Sequence, residues 1–243
     1  MSCQLPADCL NEIFEYLDDE VIFNSCLLVN HLWCEVSVQI LWKNIRNYNT
    51  LIACLPNKSK EILSKNKIII STTTSKPPLF NYVPFIKNLS INEIIDNVKK
   101  DIVIQEIFKM LMSQTSLKRL DHCCPHYNLN NHFLSNTPFT YPGAIDCLKN
   151  LTELNCYSNF HSESLYQLSQ TCHNLQSLKI YFQESITDGL EDLISVQQNL
   201  KYLCLDMRYY DKNLTITKLP NTLIKLDLFG KDNCTILLSF IAK

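Results

Sequence analysis

Glycine is nearly missing from this chain. Of 243 residues only Gly143, Gly189 and Gly230 are glycine. Glycine-rich phosphate loops and dinucleotide fingerprints need closely spaced glycines, so that backbone can approach phosphate, and are excluded. A turn-rich sandwich or barrel is disfavoured for the same reason. No apolar run approaches the roughly 18 residues of a membrane span. The first twenty residues carry Asp8, Glu12, Glu15, Asp18 and Asp19 and no basic stretch, which excludes a secretory signal. A formal net charge of −2 gives no global attraction to nucleic acid or to anionic membrane, and neither is expected as a partner.

Cysteine, by contrast, is plentiful. Twelve occur, many where a small apolar residue would serve, as at Cys26, Cys156 and Cys172. Most of them read as buried free thiols of an intracellular protein, cytoplasmic or nuclear, rather than as a disulfide framework. The sequons at Asn88, Asn150 and Asn213 then carry no meaning. Apolar residues at 46% and charged residues at 19% suit a globular chain long enough for a real core.

The stretch LPADCLNEIFEYLDDE sets Leu10, Ile13, Phe14 and Leu17 at helical spacing, with Leu5-Pro6 ahead, where proline suits a helix's first position. Asp18 or Asp19 can cap a second helix over Val21–Leu28, and Asn30 is a turn or cap residue. A third helix over His31–Trp42 places Leu32, Trp33, Val36, Ile40 and Leu41 largely on one side. So small a unit has more apolar surface than it can bury alone, and some of that surface is expected to meet a partner.

The ordered landmarks of residues 5–45 are Leu-Pro, Leu-x-x-Ile-Phe-x-x-Leu, Leu-Val-Asn-x-x-Trp and a late Leu-Trp. In these the chain resembles the F-box, a three-helix module that binds the Skp-type adaptor of cullin–RING (SCF) ubiquitin ligases. The resemblance implies that Leu5, Pro6, Leu10, Ile13, Leu17, Leu28, Val29 and Trp33 fill core or adaptor-contact positions. His31 and Cys34 stand where basic residues are common in that family, which weakens the rim and leaves the apolar anchor.

Residues 47–84 read as a helical and extended connector. Short helices over Leu51–Leu63 break at Pro56, Ile68 opens a β-branched run, and Pro77-Pro78 marks an extended break. Lys58, Lys60, Lys65 and Lys67 read as a solvated helix face.

The second half repeats. NLTELNCYS (150–158), NLQSLKIYF (174–182), NLKYLCLDM (199–207) and TLIKLDLFG (222–230) align, with first leucines spaced 24, 25 and 23 residues apart. SLKRLDHCC (116–124) and FIKNLSI (85–91) fit upstream. Helix-capable stretches at Asp101–Thr115, Ser162–His173 and Asp188–Gln197 lie between the strands. The expected fold is α/β: a short three-helix module over 1–46, then over 85–243 a curved parallel sheet inside with helices outside. The second part resembles the irregular leucine-rich repeats often found behind an F-box, in about five to six repeats. After Leu223–Phe229 only an apolar half-repeat follows, so a solenoid ending mid-repeat is expected, with Leu237, Leu238 and Phe240 partly exposed.

Period-two alternation then predicts three outward columns. One is Arg119, Glu153, Ser177, Tyr202 and Lys225; the next is Asp121, Asn155, Lys179, Cys204 and Asp227; the third is Cys123, Tyr157, Tyr181, Asp206 and Phe229. Aromatics among charges suit protein recognition, so Arg119, Glu153, Tyr157, Lys179, Tyr181, Tyr202, Asp206, Lys225 and Phe229 are the candidate residues for a protein substrate of unknown identity.

Chemistry finds little footing. His122-Cys123-Cys124-Pro125-His126, with His132, lacks a second Cys-x-x-Cys or His-x-x-x-His half, so no metal is expected. No nucleophile motif or carboxylate cluster is present, and neither catalysis nor a cofactor is expected. The expectation is a non-catalytic substrate receptor of an SCF-type ligase. Its rival is a repeat scaffold in which the N-terminal helices only cap the solenoid.

Overall fold

A computed structural model describes residues 5–17, 20–68, 78–122, 138–158, 162–182, 189–208, 214–230 and 236–240. The chain divides into two compact units, Met1–Lys87 and Asn88–Lys243.

In the first unit, α1 (Ala7–Glu15), α2 (Glu20–Cys26) and α3 (His31–Leu41) surround a small core. Pro6 takes the cap position rather than the first helical one, with extended backbone and its carbonyl accepting from Leu10 N–H at 3.1 Å. Asn30 starts α3, its side-chain oxygen accepting from Trp33 N–H at 3.0 Å. Leu10, Phe14, Phe23, Cys26 and Val36 make the core, flanked by half-buried Leu17, Leu32, Trp33, Ile40 and Leu41. Phe14 is its pivot, meeting Phe23 edge-on at 6.0 Å and Trp33 at 5.2 Å between ring centroids. Burial of a side chain such as Phe14 stabilises the unit by roughly 2 kcal/mol or more. Next come α4 (Tyr48–Ala53), capped by Asn47, and α5 (Asn57–Lys65), begun after Pro56. Trp42 stacks on Tyr82 at 4.3 Å. Residues 69–77, most of the β-branched run and its break, lie outside the described residues.

The second unit is α/β. Strands β1 (Asn88–Ser90), β2 (Arg119–His122), β3 (Glu153–Tyr157), β4 (Ser177–Tyr181) and β5 (Tyr202–Asp206) lie side by side in chain order, all parallel. β6 (Leu214–Leu219) leaves the row, β7 (Lys225–Phe229) completes it as the sixth strand, and β8 (Ile236–Phe240) pairs with β6 in a separate parallel pair. Helices α6 (Ile91–Val98), α7 (Asp101–Gln114), α8 (Ala144–Leu148), α9 (Ser162–Thr171) and α10 (Leu190–Ser195) occupy the earlier crossovers. Among the described residues no helix is long and apolar enough to cross a membrane.

The register follows the repeat. Leu120, Leu154, Leu178, Leu203 and Leu226 are mutual partners, and the row is buried until it reaches half-buried Leu226. Polar ties join successive repeats beneath the strands. Gln197 is buried and donates through Nε2 to Cys172 O at 2.7 Å and Leu193 O at 2.8 Å, while its Oε1 accepts from Leu175 N–H at 2.9 Å. Cys172 donates to Leu148 O at 3.3 Å, and Thr115 meets Cys147 at 3.1 Å. At Gly143 (φ 88°), ahead of α8, an added Cβ would sit 2.7 Å from Met112 O, so glycine is required there.

Three expectations change. The stretch FIKNLSI yields only a three-residue strand, because Ser90 accepts from Glu93 N–H and starts α6 at once. The outer layer is not helical throughout: the crossover from β5 to β7 runs through β6, whose Leu214-Thr-Ile-Thr alternation is strand-like. The second helix ends at Cys26 rather than running on to Leu28. Asp18 and Asp19, Asn159, Gln183 and Lys231 lie outside the described residues, as do the side chains of Leu237, Leu238 and Phe240.

Candidate functional site

Two surfaces carry the candidate residues, one in each unit. On the first unit, α1 divides its apolar stripe. Leu10 and Phe14 face inward and Leu17 is half-buried, so Leu10 belongs to the unit's own core. Ile13, one position round the helix, is 48% exposed. Ahead of α1 Leu5 and Pro6 are exposed, and after α2 Leu28 and Val29 project at 86% and 55% exposure. Trp33 is half-buried against Phe14. Tyr16 and Ile22, which the spacing did not single out, are exposed as well. Near this set Lys43 Nζ meets Glu15 at 2.8 Å.

On the second unit, the three outward columns form in the register that alternation predicts. Cys123 lies outside the described residues, as do Cys124, Pro125, His126 and His132. Charge is neutralised locally within the first two columns. Arg119 bridges Glu153 at 3.4 Å and Asp121 at 3.7 Å, and Asn155 Nδ2 donates to Asp121 at 3.3 Å. Lys225 meets Asp227 at 2.9 Å, Tyr202 Oη donates to the same carboxylate at 2.9 Å, and Lys225 Nζ lies 5.0 Å from the Tyr202 ring centroid. The Lys225 ammonium, then the Tyr202 hydroxyl, hold Asp227 below the usual carboxylate range. Burial first, and the Asp227 hydrogen bond second, push the Tyr202 phenol up.

The aromatic column is continuous at its centre. Tyr157 and Tyr181 lie 5.4 Å apart, and Lys179 Nζ sits 5.0 Å from the Tyr181 ring. Two members depart from the expected exposure. Asp206 is 4% exposed, because Arg208 closes over it with Nε–Oδ1 at 2.9 Å and Nη2–Oδ2 at 2.6 Å. That guanidinium lowers the Asp206 pKa. Cys204 is buried too, its small side chain lying low among Tyr202, Lys179, Asp206 and Asp227. Arg208 also covers Phe229, 5.9 Å from the ring centroid. It is therefore Arg208, not Asp206, that presents polar atoms here. The signal for it was an acid and a base two residues apart at a strand end, where both fall on one face.

Two buried thiols are held in the protonated form. Burial pushes Cys156 and Cys172 up to about 12. Burial also pulls His122 down to about 4, against a smaller opposing effect from Asp121. Among the described residues no three His, Cys, Asp or Glu side chains group as a metal site. A scan of the chain against protein-family models finds no match, and none of the curated proteins matches it.

Proposed function

We propose that this chain is the substrate-recognition subunit of an SCF-type cullin–RING ubiquitin ligase. The first unit would dock on the Skp-type adaptor and the sheet face would hold a protein substrate. The observation that carries this reading is the partition of the N-terminal apolar residues. Leu10, Phe14, Phe23, Cys26 and Val36 already supply the core of these helices. Leu5, Ile13, Leu28 and Val29 are left in water, and they are landmarks of the F-box resemblance. Exposed apolar side chains gathered in so short a segment favour a partner surface. The adaptor interface would be of standard size, about 1,600 Å² in total.

The chain would perform no bond chemistry. Holding a substrate lysine near a ubiquitin-charged enzyme raises its effective concentration, and that proximity is the contribution. On the sheet face, tyrosines flanked by neutralised charge offer stacking area and hydrogen bonds with little net field to overcome.

The test is binding of purified Skp-type adaptor to the full chain and to the double variant Ile13→Asp/Leu28→Asp. Both positions are exposed, so circular dichroism should be unchanged. Loss of at least about a hundredfold in affinity is expected from two charges placed in an apolar contact. Wild-type protein that is folded and fails to bind would return the helices to a capping role and leave the repeats as a scaffold.

A further inference from the structure

The row of parallel strands ends on β7, and among the described residues no strand pairs with its far side. Two features of this edge depart from the strands before it. The position after the first leucine of each repeat is polar in the preceding four repeats (Lys118, Thr152, Gln176, Lys201), yet here it is Ile224, 80% exposed. Leu228 is 41% exposed, while its row partner Leu205 is buried. Lys225 and Asp227 alternate with these on the opposite face.

The direction of the backbone groups can be read from the bonds to β5. Lys225 N–H donates to Lys201 O, and Phe229 O accepts from Met207 N–H. Residues 225, 227 and 229 therefore spend their amides inward on β5. The free edge presents the N–H and C=O of Leu226 and Leu228 and the C=O of Ile224.

We infer that β7 pairs antiparallel with β7 of a second copy of this chain, about a two-fold axis through Leu226. The free amides allow only registers that match an even-numbered residue with an even-numbered one. Among these, Leu226 opposite Leu226 sets Lys225 against Asp227 of the partner strand, twice, and Ile224 against Leu228, twice. A shift of two residues one way opposes Lys225 to Lys225; the other way opposes Asp227 to Asp227. Like charges directly opposite are destabilising, so charge selects the symmetric register. In that register the Lys–Asp pairs fall at non-hydrogen-bonded positions, where side chains approach most closely. The interface is isologous and closed, which ends the exposed edge without forming a filament. The two outward faces would join into one surface across the axis. This inference is independent of the proposed function.

Sedimentation of the full chain between about 1 and 100 µM tests it, a span suited to a small interface. Wild type should pass from 28.2 kDa to twice that mass. Lys225→Asp or Asp227→Lys alone should weaken the dimer about tenfold or more, since each opposes like charges at both symmetric pairs. The double swap Lys225→Asp/Asp227→Lys should restore it, and a mixture of the two single variants should form a heterodimer. Circular dichroism checks that each variant is folded. A wild type that is monomeric throughout, a dimer indifferent to both reversals, or reversals that the swap does not rescue would each overturn the inference.

Discussion

One side chain, His122, should make the stability of the second unit depend on pH below neutrality. Burial holds its folded pKa near 4, below the ordinary 6.5. Between those values the unfolded chain takes up a proton that the folded chain refuses. Stability is therefore complete above about pH 6.5, falls as pH drops, and has lost up to about 3 kcal/mol by pH 4. Urea midpoints at pH 7.5 and 5 should show the loss, and His122→Phe should flatten it. An unchanged slope in the variant would assign the dependence to other groups. At this scale the sequence was least legible. Helical spacing groups Leu10, Ile13 and Phe14 together, yet Phe14 turns toward Phe23 and Trp33, draws Leu10 with it and leaves Ile13 in water. Alternation sets Arg208 and Asp206 on one face, but that the guanidinium closes over the carboxylate and buries it depends on a side-chain rotamer beyond the strand.

At the scale of the element, spacing told much more. Leucines that recur every 23 to 25 residues can satisfy one another only by stacking, so strand partners follow directly from the alignment. The columns through Glu153, Asn155 and Tyr157 run as the alternation places them. The crossovers were harder to read. A layer packed behind a sheet needs apolar area, and either a helix or a strand supplies it; the choice of β6 rested on four residues of alternation. What joins these crossovers is side-chain hydrogen bonding of a kind that spacing does not reveal. Gln197 satisfies three backbone groups drawn from two repeats. Gln197→Ala should leave those buried groups unpaired and cost roughly 2–4 kcal/mol. Urea unfolding followed by circular dichroism would measure it, and a change below about 0.5 kcal/mol would mean that water replaces the amide.

For the whole molecule, composition set the class early: three glycines left little room for anything but helices and regular strands. What composition could not supply is where the row of strands stops, and that ending has a mechanical consequence. In the main sheet, strand order follows chain order from β1 to β7. Force applied through the two termini therefore does not shear all the ladders at once; it peels one strand from its neighbour and then the next. Each release should lengthen the chain by about 80 to 110 Å, the extended span of the roughly 23 to 34 residues between successive strands of the row. The far end is different, because β8 reaches back past β7 to pair with β6. That clasp ties the last two steps together. A stretched molecule should yield in a series of short, weak events and one longer, stronger one, whereas a single rupture would show that the repeats resist force as a block.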